Sequence, residues 1–338
     1  MSPQTMKALN FTDFNRLELQ QVPMPALQAP DDVLVRIRAA GVCGSDLHGY
    51  TGKSGRRQPP LIMGHEASGE IVAVGEAVSD LAPGTPVTIQ PLIYRPDPAT
   101  GQIVRKLIGM NLPGAYAEYI VVPRANVFPL PETLSFSAAS LTEPTAVAVH
   151  AVSMSPVQPY DRVLVIGAGT IGLLTMQVLR VAGAKVAVVD ISDERLQIAQ
   201  QMGASATFNP GTGDFAAFVA SFTAGQGFDL TFEAVGISAT VAQAVQAVRD
   251  GGTAIWIGNN QKIIDVDMQA IVTRELRVQG TYGMNNRDFA RALQMLADGQ
   301  IATDVLVNRR ATLEEGPTLF DELIHTPGIV KCVIEMQD

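Results

Sequence analysis

One stretch limits the fold of this chain more than any other. Val163-Leu164-Val165-Ile166 runs into Gly167-Ala168-Gly169-Thr170-Ile171-Gly172, and an apolar helical run follows to Ala182. A second short apolar strand, Val186 to Val189, then ends at Asp190. Short runs of apolar β-formers on either side of a helix read as neighbouring strands of a parallel sheet covered on both faces. G-x-G-x-x-G alone is a weak signal, since a tight strand-to-helix turn needs glycine anyway. Here the preceding strand, the following helix and the acid at the end of the next strand supply the context the motif requires. Gly167 permits the turn, Gly169 lets the backbone approach a pyrophosphate, and Gly172 lets helix and strand pack closely. The helix start at Thr170 and Ile171 stabilises the phosphate charge. A carboxylate at Asp190 accepts ribose hydroxyls and repels a 2′-phosphate, and Ile191, Ser192 and Asp193 bring no cation. NAD is therefore expected over NADP. Arg195, the nearest cation, lies either along the adenosine or on a solvated helix face.

Around this unit the chain changes texture. Residues before about 150 form short β-like runs bounded by Gly and Pro, such as Val33–Arg38, Gly69–Gly75 and Pro86–Ile89, which predicts an antiparallel or barrel-like domain. From Arg162 apolar strands alternate with helices, with further strands expected at Phe228–Glu233, Thr253–Ile257 and Leu276–Val278. After a helix near Arg287–Ala297 the pattern returns to short strands, ending in Ile329–Ile334. With 338 residues, two domains are expected. They are assigned as 1–153 with 290–338, a discontinuous β-rich domain, and 154–289, the dinucleotide-binding domain.

Composition excludes several classes. At 47% hydrophobic and 17% charged, the chain folds as a globular protein. A net charge of −9 with no Lys/Arg block argues against nucleic acid or anionic membrane as partner. The start, Met1-Ser2-Pro3-Gln4-Thr5-Met6-Lys7, lacks the pattern of a signal peptide, and the longest apolar region is broken by glycines, Gln177, Arg180 and Lys185. Two cysteines, Cys43 and Cys332, are too few for a disulfide scaffold. A cytoplasmic location is expected.

Two polar clusters stand out in the first domain: Cys43-Gly44-Ser45-Asp46-Leu47-His48 and Gly64-His65-Glu66. A lone buried cysteine or a hydrogen-bonded histidine is the plainer explanation of either one. Yet three of the four histidines, His48, His65 and His150, fall near these clusters or near Glu143, and thiolate, imidazole and carboxylate together suit zinc.

These motifs, with Pro83-Gly84, Gly114-Ala115-Tyr116-Ala117-Glu118-Tyr119, Glu143-Pro144, the glycine turn and Asp190, occur in the order found in the medium-chain zinc-containing alcohol and polyol dehydrogenases. The chain resembles that family over essentially its whole length. The resemblance implies an α/β protein, a GroES-like β-barrel catalytic domain plus a Rossmann domain of doubly wound parallel sheet. It implies that Cys43 and His65 ligate a catalytic zinc and that Glu66 binds directly or intermittently. Glu143 stands where other alcohol dehydrogenases have a third ligand cysteine, and Glu-Pro there is similar to the sorbitol dehydrogenase branch. Without that resemblance, Glu143 is simply an acid placed favourably at a helix N-terminus. Ser45 and His48 correspond to the family's proton relay, or else cap the following helix. Asp46 is expected to orient a ligand or a turn.

The chain also departs from the family. The stretch from Leu92 to Leu112 holds no cysteine, so one zinc and no structural zinc are expected, with the proline-rich run Tyr94-Arg95-Pro96-Asp97-Pro98-Ala99-Thr100-Gly101 as a loop. Thr281-Tyr282-Gly283-Met284 lacks the arginine that sorbitol dehydrogenases place before the tyrosine. The expected activity is hydride transfer from a secondary hydroxyl of a polyol to NAD, giving a ketose. The alternative is a sugar phosphate, sugar acid or hydroxy amino acid held by a basic loop of Lys53, Arg56 and Arg57. A homodimer or homotetramer is expected, joined through the apolar stretch Gly252–Gly258.

Overall fold

The computed structural model describes residues 4–97 and 99–337; Met1, Ser2, Pro3, Pro98 and Asp338 lie outside them. The chain separates into two compact units: the residues up to Glu143 together with those from Val307 onward, and Pro144–Leu306. The divisions expected after 153 and after 289 thus fall at 143/144 and 306/307. The physical reason is the company the helices keep. Helix Thr142–Ser153 is tied to helix Asn286–Ala297 by His150 and Asp288, and the chain beyond that helix is still tied to the second unit when Ala302 N donates to Gln177 Oε1.

In the first unit, strand Asp32–Val42 is the hub. It runs antiparallel to Glu66–Val74 along one edge. Along the other it pairs first with Tyr119–Pro123 and then with Lys331–Glu335. With Tyr119–Pro123 branching off the hub, the rest of the sheet runs in the order Val127–Pro129, Pro86–Ile89, Glu66–Val74, Asp32–Val42, Lys331–Glu335, Val307–Ala311. Register shifts interrupt the ladder with Glu66–Val74 twice, with Val72 the extra residue in that strand beside Leu34/Val35 and Arg38 the extra residue in the hub strand between Ile37 and Ala39. Its side chains are buried with hardly a break, Val33, Val35 and Ile37 fully so, because helix and sheet cover both its faces. A three-stranded sheet (Arg16–Pro23, Thr5–Asp13, Leu61–Ile62) completes the unit, with a hairpin Leu92–Pro96/Ile103–Leu107. The hairpin replaces the loop expected there. The Asp97 carboxylate accepts from Ala99 N, Thr100 N and Thr100 Oγ1 at the hairpin's end.

The second unit is a six-stranded sheet, parallel throughout: Ala206–Phe208, Lys185–Val189, Arg162–Ile166, Phe228–Glu233, Val248–Trp256, Arg277–Gly280. This is the doubly wound order, with its reversal beside Arg162–Ile166. Val163, Leu164, Val165 and Ile166 are all at or below 1% exposure, as expected for a central strand. The strand containing Thr253–Ala254-Ile255 lies inside the sheet, not at its edge. The sheet's edge strands are Ala206–Phe208 and Arg277–Gly280, so the apolar character of the strand carrying Thr253–Ile255 reflects burial between two neighbours. No helix among the described residues is long and apolar enough to cross a membrane.

Candidate metal centre and cofactor turn

Cys43 ends the hub strand's turn and caps helix Gly44–Tyr50. Its Sγ accepts from Ser45 N, and Asp46 reciprocates by accepting from Cys43 N through Oδ2 at 3.3 Å. This is a capping box in which a thiol takes the place of the usual hydroxyl. Ser45 and His48 therefore lie inside the helix and do not cap it. Ser45 Oγ donates to Cys43 Sγ at 3.4 Å.

Gly64 precedes His65 with φ +94°, a left-handed conformation that glycine adopts without strain. The turn brings His65 and Glu66, the first residue of its strand, up to Cys43. One donor atom from each of Cys43, His65 and Glu66 lies within 4.8 Å of the others. A thiol, an imidazole and a carboxylate at that spacing form a donor set that zinc sites use. Glu143, buried in the first turn of its helix, is not among the three. Burial pushes its carboxyl up to about 7; His65 opposes the rise and Glu66 reinforces it.

Glu66 and His65 each have a buried charged neighbour; Asp46 beside His65 was expected to orient a ligand, whereas Lys331 beside Glu66 was not expected. Lys331 is buried and paired with Glu66 Oε2, and it also donates to Val42 O at 3.0 Å. Glu66 Oε1 is buried and has no hydrogen-bond partner. The signal was available: a lysine inside the apolar run Ile329–Ile334 breaks the pattern at a position that faces inward. Asp46 is the second hub. It accepts from Tyr116 Oη at 2.8 Å, pairs with Arg57 at 2.8 Å and faces His65 Nδ1 at 3.4 Å. Burial penalises its charge, yet His65 and Arg57 hold the carboxyl well below its ordinary value. Burial likewise disfavours the His65 imidazolium, but Asp46 and then Cys43 hold it well above the usual histidine range.

Two expectations fail here. Arg57 does not belong to a solvated anion-binding loop, because it is buried and committed to Asp46, Ser45 and Gly109. Only Lys53 and Arg56 of that loop remain exposed. His150 does not join the cluster either: its Nδ1 meets Asp288 Oδ2 at 2.6 Å. His48 is half-buried, and burial together with Lys53 lowers its basicity.

In the second unit, Gly167 has φ +101°, and a Cβ on Gly172 would sit 1.7 Å from Gly167 O. Both positions are closed to larger residues. A Cβ at Gly169 would meet nothing within 4 Å, which leaves open space over the start of helix Thr170–Val181. Asp190 is fixed from both sides, Oδ2 accepting from Ala168 N at 2.6 Å and Oδ1 from Ser192 N at 2.9 Å. Arg195 sits in helix Asp193–Gln201 with its Nε buried and unpartnered.

The comparisons agree with both units. Residues 29–132 match the alcohol dehydrogenase GroES-like domain, and residues 170–298 match the zinc-binding dehydrogenase domain. D-xylulose reductase A of Aspergillus oryzae is 32% identical, covering 97% of this chain and 96% of its own. Among solved structures, a protein of the zinc-binding dehydrogenase type from Sinorhizobium meliloti 1021, bound to NADP, superposes with a TM-score of 0.88. It is 31% identical over 98% of this chain and 99% of its own. Galactitol-1-phosphate dehydrogenase of Escherichia coli reaches 0.90 at 28% identity, over 98% and 100%. A barrel-type domain joined to a doubly wound dinucleotide-type sheet is the medium-chain dehydrogenase architecture, with a zinc-type donor set in the first unit. The chain belongs to the zinc-containing medium-chain dehydrogenases, in the family of alcohol and polyol dehydrogenases.

Proposed function

We propose that this chain oxidises a secondary hydroxyl of a sugar alcohol or related polyol to the ketose and passes the hydride to NAD. One zinc ion per subunit would serve it. The carrying observation is the Cys43–His65–Glu66 cluster, whose buried Glu66 Oε1 lacks any hydrogen-bond partner. An orphaned carboxylate oxygen beside a thiol and an imidazole fits a cation in that position. Cys43, His65 and Glu66 would hold the metal, and Glu143, a buried acid with a raised pKa, would bind it directly or through water. When bound, zinc supplies Lewis acidity toward the substrate hydroxyl, and the nicotinamide supplies the hydride acceptor.

The chain's own groups do the rest. Asp46 Oδ1, 3.4 Å from His65 Nδ1, would take the Nδ1 proton and so leave the Nε2 lone pair for the metal. Lys331 takes one oxygen of Glu66 and leaves the other bare. Ser45 Oγ, hydrogen-bonded to Cys43 Sγ, stands where it can take the hydroxyl proton, and His48, biased toward its neutral form, can receive it. Gly167, Gly169, Thr170, Ile171 and Gly172 would cradle the pyrophosphate. Asp190, already oriented by two backbone donors, would take the ribose hydroxyls, and Arg195 would lie along the adenosine. Its carboxylate supports NAD over NADP.

The second reading, a phosphorylated or acidic substrate, loses Arg57 but keeps Lys53 and Arg56, and the likeness to galactitol-1-phosphate dehydrogenase keeps it in the test. We also propose a homodimer or homotetramer built on the open edge Arg277–Gly280, where Met268, Val272 and Val278 are exposed. Two free thiols support a cytoplasmic setting. The test is metal analysis followed by NAD and NADP reduction across hexitols, pentitols and hexitol phosphates. Stoichiometric zinc and reduction of NAD by an unphosphorylated polyol are expected. Undiminished zinc content in Cys43→Ala would sink the metal reading, and turnover of phosphates alone would replace the polyol reading.

A further inference from the structure

Arg57 comes from the basic run Lys53-Ser54-Gly55-Arg56-Arg57, where charge predicts a solvated side chain, yet it is 2% exposed. Its guanidinium uses its whole fork. Nε donates to Gly109 O at 3.0 Å, and Nη1 to Ser45 O at 2.8 Å. Nη2 pairs with Asp46 Oδ1 at 2.8 Å and reaches Ser45 Oγ at 3.3 Å. The stem passes beneath helix Gly44–Tyr50 at Gly49, where a Cβ would lie 2.6 Å from Arg57 Cδ. One residue thus fixes a helix start, a turn carbonyl and a carboxylate relative to one another. A lysine, with donors on a single nitrogen, reproduces only part of that pattern.

His65 Nδ1 has two neighbours: Asp46 Oδ1 at 3.4 Å and Arg57 Nη2 at 3.5 Å. Donation to Asp46 requires the proton on Nδ1 and leaves Nε2 bare. Acceptance from Arg57 requires the opposite tautomer, with Nε2 blocked. Arg57 Nη2 is engaged by Asp46 at the shorter distance, and a guanidinium has no lone pair to accept the Nδ1 proton. The carboxylate therefore takes it.

We propose that Arg57 is a positioning residue of the metal centre, locking Asp46 onto His65 Nδ1 and the Ser45 hydroxyl beside Cys43. This rests on the metal reading above. The readouts are zinc affinity by chelator competition and the visible ligand-field bands of the cobalt(II)-substituted protein. Arg57→Lys is expected to bind zinc roughly 10- to 100-fold more weakly and to shift the cobalt bands, as loss of a residue behind a metal ligand does. Affinity within about twofold of the parent overturns the proposal, given that scale. So does weaker affinity with unchanged cobalt bands, which marks a general loosening of the fold. Should Arg57→Lys fail to fold, Gly49→Ala displaces the guanidinium without removing its charge and faces the same two criteria. Cys43→Ala separates the two levels. If it keeps parent affinity, the metal reading itself falls. If it loses zinc while Arg57→Lys does not, only the role of Arg57 falls.

Discussion

Gly41 shows how tightly the residues around the centre are fitted. It lies opposite Glu66 in the sheet, and a Cβ there would sit 2.0 Å from Glu66 Oε2 and 3.1 Å from Lys331 Cε. The buried ion pair occupies the volume a side chain would take. Gly41→Ala is expected to cost about 1–3 kcal/mol in urea unfolding, the usual penalty for overpacking. Lys331→Met tests the pair itself. Leaving Glu66 buried without its cation should cost about 3–5 kcal/mol in metal-free protein, and adding Glu66→Leu should recover much of it. Equal stabilities of the single and double variants would show that Glu66 does not need Lys331. Buried charge of this kind is also where sequence reading reached its limit. Cys43, His65 and Glu66 announce themselves by type and spacing. Arg57, in a run of exposed-looking cations, reads as an ordinary surface residue until the chain is folded around it, whereas Lys331 betrays itself only by interrupting an apolar strand.

At the scale of elements, most strands and helices were legible because local chemistry and tertiary environment agree. Phe228–Glu233 is observed where periodicity places it, and helix Asp193–Gln201 begins at Ser192, whose hydroxyl accepts from Arg195 N. The region 92–107 was not legible, because a two-stranded hairpin carrying charged and proline residues lacks the alternation that marks a half-buried strand. This hairpin is anchored by Arg95, whose Nη2 donates to Asp32 Oδ1 at 2.7 Å, while Gln28 N and Ala29 N donate to Asp32 Oδ2. Burial alone would raise the Asp32 pKa, but Arg95 and the two amides hold it below its usual 3.8. A depressed folded value stabilises above the unfolded pKa, and that stability fades as pH falls through the folded value. Asp32→Asn should therefore cost about 1.5–3 kcal/mol at neutral pH, the range for hydrogen bonds to a charged group. The deficit should shrink below pH 3.8. Urea midpoints at several pH values check this, and a deficit independent of pH would refute it.

For the whole molecule, the glycine turn and the return to β structure near the end made the division into two units readable, though not its borders. Helix Thr142–Ser153 carries Glu143 at its start and His150 further on, so no break in periodicity marks the passage from one unit to the next. The strand in the stretch Gly252–Gly258 proved interior to the sheet, since an apolar strand looks the same in sequence whether a neighbouring strand or a second subunit covers it. On the assembly proposed above, through the edge strand Arg277–Gly280, Val278→Lys is expected to shift the protein toward monomer in light scattering at micromolar concentration, because charge on an edge strand opposes pairing. An unchanged mass would remove this edge from the interface.

The position of Lys331–Glu335 between Asp32–Val42 and Val307–Ala311 has a consequence for synthesis. A ribosome delivers Cys43, His65 and Glu66 early, then the whole dinucleotide-type unit, and only afterwards the strand bearing Lys331. Domains fold largely as they emerge, so the second unit can be finished while the first still waits for an inner strand. The cation that neutralises Glu66 thus arrives only after the second unit has been made. Until then the nascent chain holds its thiol and acids in an unfinished frame, and the charge balance around Glu66 is set only when that strand joins the sheet.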